Sequence, residues 1–184
     1  MALPKIDKKT TCCFAGYRPH KYGFKFDESA PEYVELLEKI KKAINAAYKK
    51  GYRTFLCGGA IGFDILCAEE VLKLKEVRSR VKLICLLPYE EQAKRFNKLW
   101  ADKYKNILDK CDYIECVSPE YVPGCYYART QKMVDYSSML MTYYDGKSGG
   151  TERCIAYSQF AKIKIVNLCE DAPVPEGAFF FLGM

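Results

Sequence analysis

Residues 81–88 read VKLICLLP, a stretch that after Lys82 carries no polar residue at every second place. A strand with one wet face alternates; a strand without alternation is covered on both faces, as in the middle of a parallel sheet. Parallel neighbours need long crossovers, which are normally helices. This run therefore predicts an α/β chain, and the rest of the sequence supplies its companions. TTCCFA (10–15), RTFLC (53–57), YIECVS (113–118), MLMTYYD (139–145) and KIVNL (164–168) read as five further strands.

Helical spacing fills the gaps. Val34, Leu37, Ile40, Ile44 and Tyr48 mark a helix that starts near Pro31 and stops at Gly51, with Ser29 and Glu32 at capping-box spacing. Ile61, Ile65, Ala68 and Leu72 mark a second. Ala93, Phe96, Trp100, Tyr104 and Ile107 mark one long helix or two short ones; 126–136 is a fourth, and GKSGGT (146–151) leads into a fifth. The expected fold is a Rossmann-like three-layer αβα sandwich with a mostly parallel sheet of about six strands, in a single domain over residues 1–184.

Composition narrows the function classes. Hydrophobic residues make up 49% and charged residues 28% of the 184, which is the composition of a folded domain. No apolar run approaches the ~20 residues of a membrane helix. The opening MALPKIDKK lacks the apolar region of a secretory signal. A cytoplasmic location with no membrane partner is expected. The ten cysteines form no CxxC pair and His20 is the only histidine, so no metal site is expected and the thiols read as reduced packing residues. A net charge of +6 favours an anionic partner only mildly, since the lysines fall mostly on helix faces. The apolar ending AFFFLGM (178–184) predicts docking on this domain or on a neighbouring subunit, which makes a homo-oligomer a candidate.

In open α/β sheets ligands bind beyond the carboxyl ends of the strands. The unusual residues of this chain gather at those ends: Gly16, Tyr17, Arg18, Pro19 and His20 after the first strand; Gly58, Gly59, Gly62 and Asp64 after the second; Pro88, Tyr89, Glu90 and Gln92 after the third; Asp145, Gly146, Gly149, Gly150, Thr151 and Glu152 after the fifth. Two of these loops are glycine-rich and run into helices, whose first N–H groups and dipole favour a phosphate or carboxylate. Neither is a Walker A motif, and GGAIG falls short of GxGxxG. Either loop alone reads equally well as a tight turn. Arg18 is placed to clamp a phosphate, or reads as a surface arginine paired with a nearby carboxylate. Asp64 is read as a ligand contact or a partner of the helix dipole, Tyr17 and Tyr89 as rings that stack on a base, and Glu90 and Glu152 as candidate acid/base groups.

FAGYRP, CGGAIGFDILCAEE, LLPYEEQAKRF and MVDYSSMLMTYYDGKSGGT, in this order, resemble the YpsA-like family of the SLOG superfamily from about residue 11 to 168. The superfamily is Rossmann-like and includes the LOG phosphoribohydrolases, which activate cytokinins, and the DprA proteins, which bind single-stranded DNA. The resemblance implies a first phosphate loop at Gly58, Gly59 and Gly62 and a second at Gly149, Gly150 and Thr151. LOG enzymes carry a catalytic glutamate three places after that threonine, where this chain has Cys154; Glu152 lies two places earlier, ~200° away around a helix. The leading reading is binding or sensing of a small nucleotide or nucleotide-derived ligand, with no other cofactor. The alternatives are a nucleotide N-glycoside hydrolase using Glu152 or Glu90, and a DprA-like binder of single-stranded nucleic acid.

Overall fold

The computed structural model describes residues 4–24 and 26–170. Six strands, β1 (Thr11–Gly16), β2 (Thr54–Cys57), β3 (Lys82–Tyr89), β4 (Tyr113–Ser118), β5 (Met139–Tyr143) and β6 (Lys164–Asn167), form one sheet in the order β4-β3-β2-β1-β5-β6. Every neighbouring pair is parallel. The buried run of β3 does lie inside the sheet, between β2 and β4. Five helices make the crossovers: α1 (Pro31–Lys49), α2 (Phe63–Val77), α3 (Lys98–Lys110), α4 (Cys125–Asp135) and α5 (Gly150–Phe160). α2 packs between α1 and α3 in one layer, and α4 packs on α5 in the other. The result is the αβα sandwich expected from the sequence. Phe14 on β1 and Phe55 on β2 stack at 5.9 Å in the core.

Two local expectations are corrected. Ser29 does not cap α1. Its N–H and Oγ both donate to Asp27 Oδ1, at 2.9 and 2.6 Å, and the N-cap is Ala30, fixed by Pro31 at the first helical position. The buried stripe of α1 is Tyr33, Leu36, Ile40, Ile44 and Ala47, while Val34 is 53% exposed. Both stripes have helical spacing and share Ile40 and Ile44. The choice is made by Tyr33, whose ring meets Phe24 and Phe26 edge-on and draws its side of the helix inward. Between β3 and α3 the chain makes a short 3-10 turn (Gln92–Arg95), and Asn97 caps α3 by accepting from the Trp100 N–H at 3.1 Å.

All ten cysteines are free, eight of them buried and Cys111 and Cys116 partly so. Among the described residues no helix is long and apolar enough to cross a membrane, and no three His, Cys, Asp or Glu side chains gather as a metal site would require. The apolar ending at 178–184 lies outside the described residues.

Candidate anion-binding cleft

From β1 the chain builds outward through β2, β3 and β4; α4 then carries it back across to β5, on the other side of β1. The connections leaving β1 and β5 therefore part to opposite layers, and a crevice opens between them. It holds a cleft of about 270 Å³ lined by the end of β1, the turn before α2, the inner face of α4 and the start of α5. Among the described residues four basic side chains line it, Arg18, Lys21, Arg129 and Arg153, with His20 beside them, and Asp64 is the one carboxylate.

Arg129 dominates the floor. α4 buries Cys125, Arg129 and Met133, a stripe at i, i+4 and i+8 in which a guanidinium replaces an apolar residue. The residue is only 8% exposed, and its Nε and Nη1 have no hydrogen-bond partner among the described residues. Nη1 stands 3.9 Å from Asp64 Oδ2, close enough for attraction and too far for a hydrogen bond. Asp64 is buried as well. Burial pushes its carboxyl up to about 6, against the downward pull of Arg129 and of the backbone amides of Ala60 and Gly16. Burying unmet donors is costly, so the place of Arg129 suits an acceptor that comes from outside the chain. Gly58 makes that place available: a β-carbon there would fall 1.4 Å from Arg129 Nη1.

Arg18 stands at the exposed mouth, its guanidinium 5.6 Å from the centre of the Tyr126 ring. That contact orients the side chain without neutralising it.

Tyr17 has a different part from the one its position suggests. The side chain is 1% exposed, so its ring has no free face for a base. Its hydroxyl donates to Asp145 Oδ1 at 2.7 Å and accepts from the backbone N–H of Asp145 and Lys147 at 3.2 and 3.0 Å. Lys21 adds a bond to Ser148 O at 2.6 Å, and Lys147 Nζ reaches back to Lys21 O at 3.1 Å. The segment after β1 thus clasps the loop after β5 and sets where α5 begins. Burial and the bond to Asp145 raise the Tyr17 hydroxyl far above the usual phenol range, so it stays a donor.

Of the residues singled out from sequence, Gly16, Tyr17, Arg18, His20, Asp64, Gly150 and Thr151 line the cleft. Gly58 touches it only through Arg129. Gly59 and Gly62 answer to internal packing: a β-carbon on Gly59 would meet Gln92 at 2.6 Å and Tyr104 at 2.8 Å, and one on Gly62 would meet Tyr17 O at 2.5 Å. Asp145 belongs to the clasp, and the Gly149 N–H donates to Glu152 Oε2 at 3.3 Å, which engages that glutamate at the helix start. Pro88 is buried in the sheet and Glu90 exposed, and neither lines the cleft. Tyr89 is packed edge-on against Tyr121 and Tyr126. Lys21, Tyr126, Arg129 and Arg153 were missed. A basic residue on the buried stripe of α4 was the signal for Arg129.

The sequence profile of the YpsA family, described as the YspA SLOG family, matches residues 12–165. The chain is a member of the YpsA SLOG family. It is 28% identical over 141 residues to a UPF0398 protein of Bacillus pumilus, covering 75% of each chain. It is 27% identical over 141 residues to the UPF0398 protein YpsA of Bacillus subtilis, covering 75% of this chain and 77% of that one. Among solved structures it is similar to DNA processing protein A of Helicobacter pylori, with a TM-score of 0.56 at 16% identity over 85% of this chain and 64% of that one. The DprA of Streptococcus pneumoniae gives 0.57 at 11% identity over 87% of this chain and 50% of that one. The YpsA-family chain thus spans about half to two thirds of these larger structures, and at such identities the likeness establishes the shared fold.

Proposed function

We propose that the cleft between β1 and β5 binds a nucleotide or nucleotide-derived ligand through its phosphate, with Arg129 as the central anchor. The observation that carries this reading is the buried Arg129 guanidinium, whose Nε and Nη1 lack an acceptor among the described residues. Arg18, Lys21 and Arg153 stand around it, and phosphate oxygens match a guanidinium fork. Gly150 and Thr151, in the first turn of α5, line the same space, and a helix N-terminus is suited to an anion. The Helicobacter pylori neighbour, described as binding single-stranded DNA, is consistent with nucleotide chemistry on this fold.

A hydrolase reading finds less support. Glu152 is engaged by the Gly149 N–H and Glu90 is exposed outside the cleft, which leaves Asp64, held by backbone amides, as the carboxylate nearest a ligand. The test is calorimetric titration with AMP, alongside product analysis. Saturable binding without base release, lost in Arg129→Met at unchanged helix content, is the expected result. No binding by wild type, or free adenine accumulating with time, overturns the reading.

A further inference from the structure

A second feature adjoins the cleft. On the outward side of α4 and α5 the rings of Tyr127, Tyr157 and Phe160 follow one another, with centroids 6.3 and 6.1 Å apart. Phe160 is 80% exposed and Tyr127 44%. Tyr157 is pinned from below, its hydroxyl donating to Asp135 Oδ1 at 2.9 Å. With Arg153 and Ala156 these rings make an open groove. Tyr127 and Arg153 line both this groove and the cleft, so the two are continuous.

We propose that the groove stacks the second base of a ligand made of two nucleoside units joined through phosphate, the first unit lying in the cleft. This rests on the cleft reading given above. Exposed aromatic faces beside a cationic track are how proteins hold successive bases, because every base has a π-face. Arg153 sits at the seam between the two compartments, and its side chain forms no ion pair among the described residues. A cation between the phosphate-binding cleft and the aromatic groove matches an anionic linker. The nearby carboxylates are engaged, Asp135 by Tyr157 and Glu152 by the Gly149 N–H. The same chemistry is offered by a free dinucleotide and by the end of a single strand.

The experiment compares AMP, the 5′-phosphorylated dinucleotide pApA and an eight-residue oligo(dA) by calorimetry on the whole chain. The wild type is expected to bind pApA about 10-fold more tightly than AMP, the scale of one stacked base. Phe160→Ala and Phe160→Gln, both at an exposed position outside the cleft, are expected to erase that advantage and leave AMP affinity unchanged. An octamer that binds more tightly still assigns the site to a strand, whereas equality with pApA assigns it to a free dinucleotide; both keep the proposal. Equal affinity of the wild type for AMP and pApA overturns it while the cleft reading stands. An undiminished pApA advantage in both variants also overturns it. So does a wild-type dimer that Phe160→Ala turns into a monomer with the advantage intact, since the face then belongs to a second copy. Absence of AMP binding removes the cleft reading and this one together.

Discussion

The loops after β2 and β5 look alike as sequence, each a glycine cluster running into a helix, yet they are glycine-rich for different reasons. In the first, the missing side chains make room for the protein itself. Gly59 and Gly62 have φ of +67° and +95°, and their β-carbons would strike Gln92, Tyr104 and the Tyr17 carbonyl. The α2 start is likewise satisfied internally, with the Phe63 N–H donating to Tyr17 O at 3.2 Å. In the second, a β-carbon on Gly149 would meet only the flexible end of Lys21, its Nζ at 2.7 Å, and one on Gly150 would meet nothing within 4 Å; the loop is held by polar ties from Tyr17 and Lys21. One loop is part of the core; the other is left open toward the cleft. Glycine content reports that backbone comes close to something, and only the surroundings tell what.

Substitution should separate the two loops sharply. Gly62→Ala and Gly59→Ala are each expected to cost about 2–5 kcal/mol, from positive-φ strain added to overpacking. The urea midpoint measures it; a midpoint within error of wild type would mean that the first loop is as open as the second. The next effect depends on pH. Asp64 goes from an ordinary 3.8 to about 6 on folding, so the folded state holds its proton more tightly than the unfolded one. Its contribution is then fully present below about pH 4 and lost as pH rises through 6, a span of roughly 3 kcal/mol. Wild type should lose that much stability relative to Asp64→Asn between these limits, with a constant difference above. A flat difference curve would show that Asp64 is not held beside the first loop as described.

Smaller effects probe the second loop. Tyr17→Phe removes the hydroxyl that ties Asp145 and Lys147 and is expected to cost about 1–2 kcal/mol. It should also speed amide exchange in 145–149 while leaving 58–62 protected. Equal acceleration in both loops would contradict the separation. Gly150→Ala is expected to be the mildest, within about 0.5–1 kcal/mol of wild type and on the stabilising side, since alanine suits a helix better. A loss comparable to that of Gly62→Ala would end the contrast.

The sheet was legible because each strand is an apolar run bounded by turn residues, and because β3 shows no alternation. The cleft was legible where its residues sit at strand ends or helix starts: Gly16 closes β1, Arg18 follows it, Asp64 lies in the first turn of α2, and Gly150 and Thr151 begin α5. Arg129 and Arg153 lie within helices, where a lone basic residue reads as solvated surface. Whether such a residue faces inward depends on which layer the helix joins, and that is settled by α4 crossing the sheet. The same kind of ambiguity hid the α1 stripe, where two sets of positions share Ile40 and Ile44. The sequence shows the place of Tyr17 but not its part, because its 128-residue reach to Asp145 has no local signature.

The central claim is that Arg129 waits for an acceptor from outside the chain. It is tested most directly by nitrogen-15 NMR of the arginine Nε–H groups, with the Arg129 signal assigned by its loss in Arg129→Lys. On titration with AMP that signal is expected to move downfield and to exchange more slowly with water, in step with calorimetric saturation. Saturable AMP binding with the Arg129 Nε–H unmoved would contradict the claim and put the anion elsewhere.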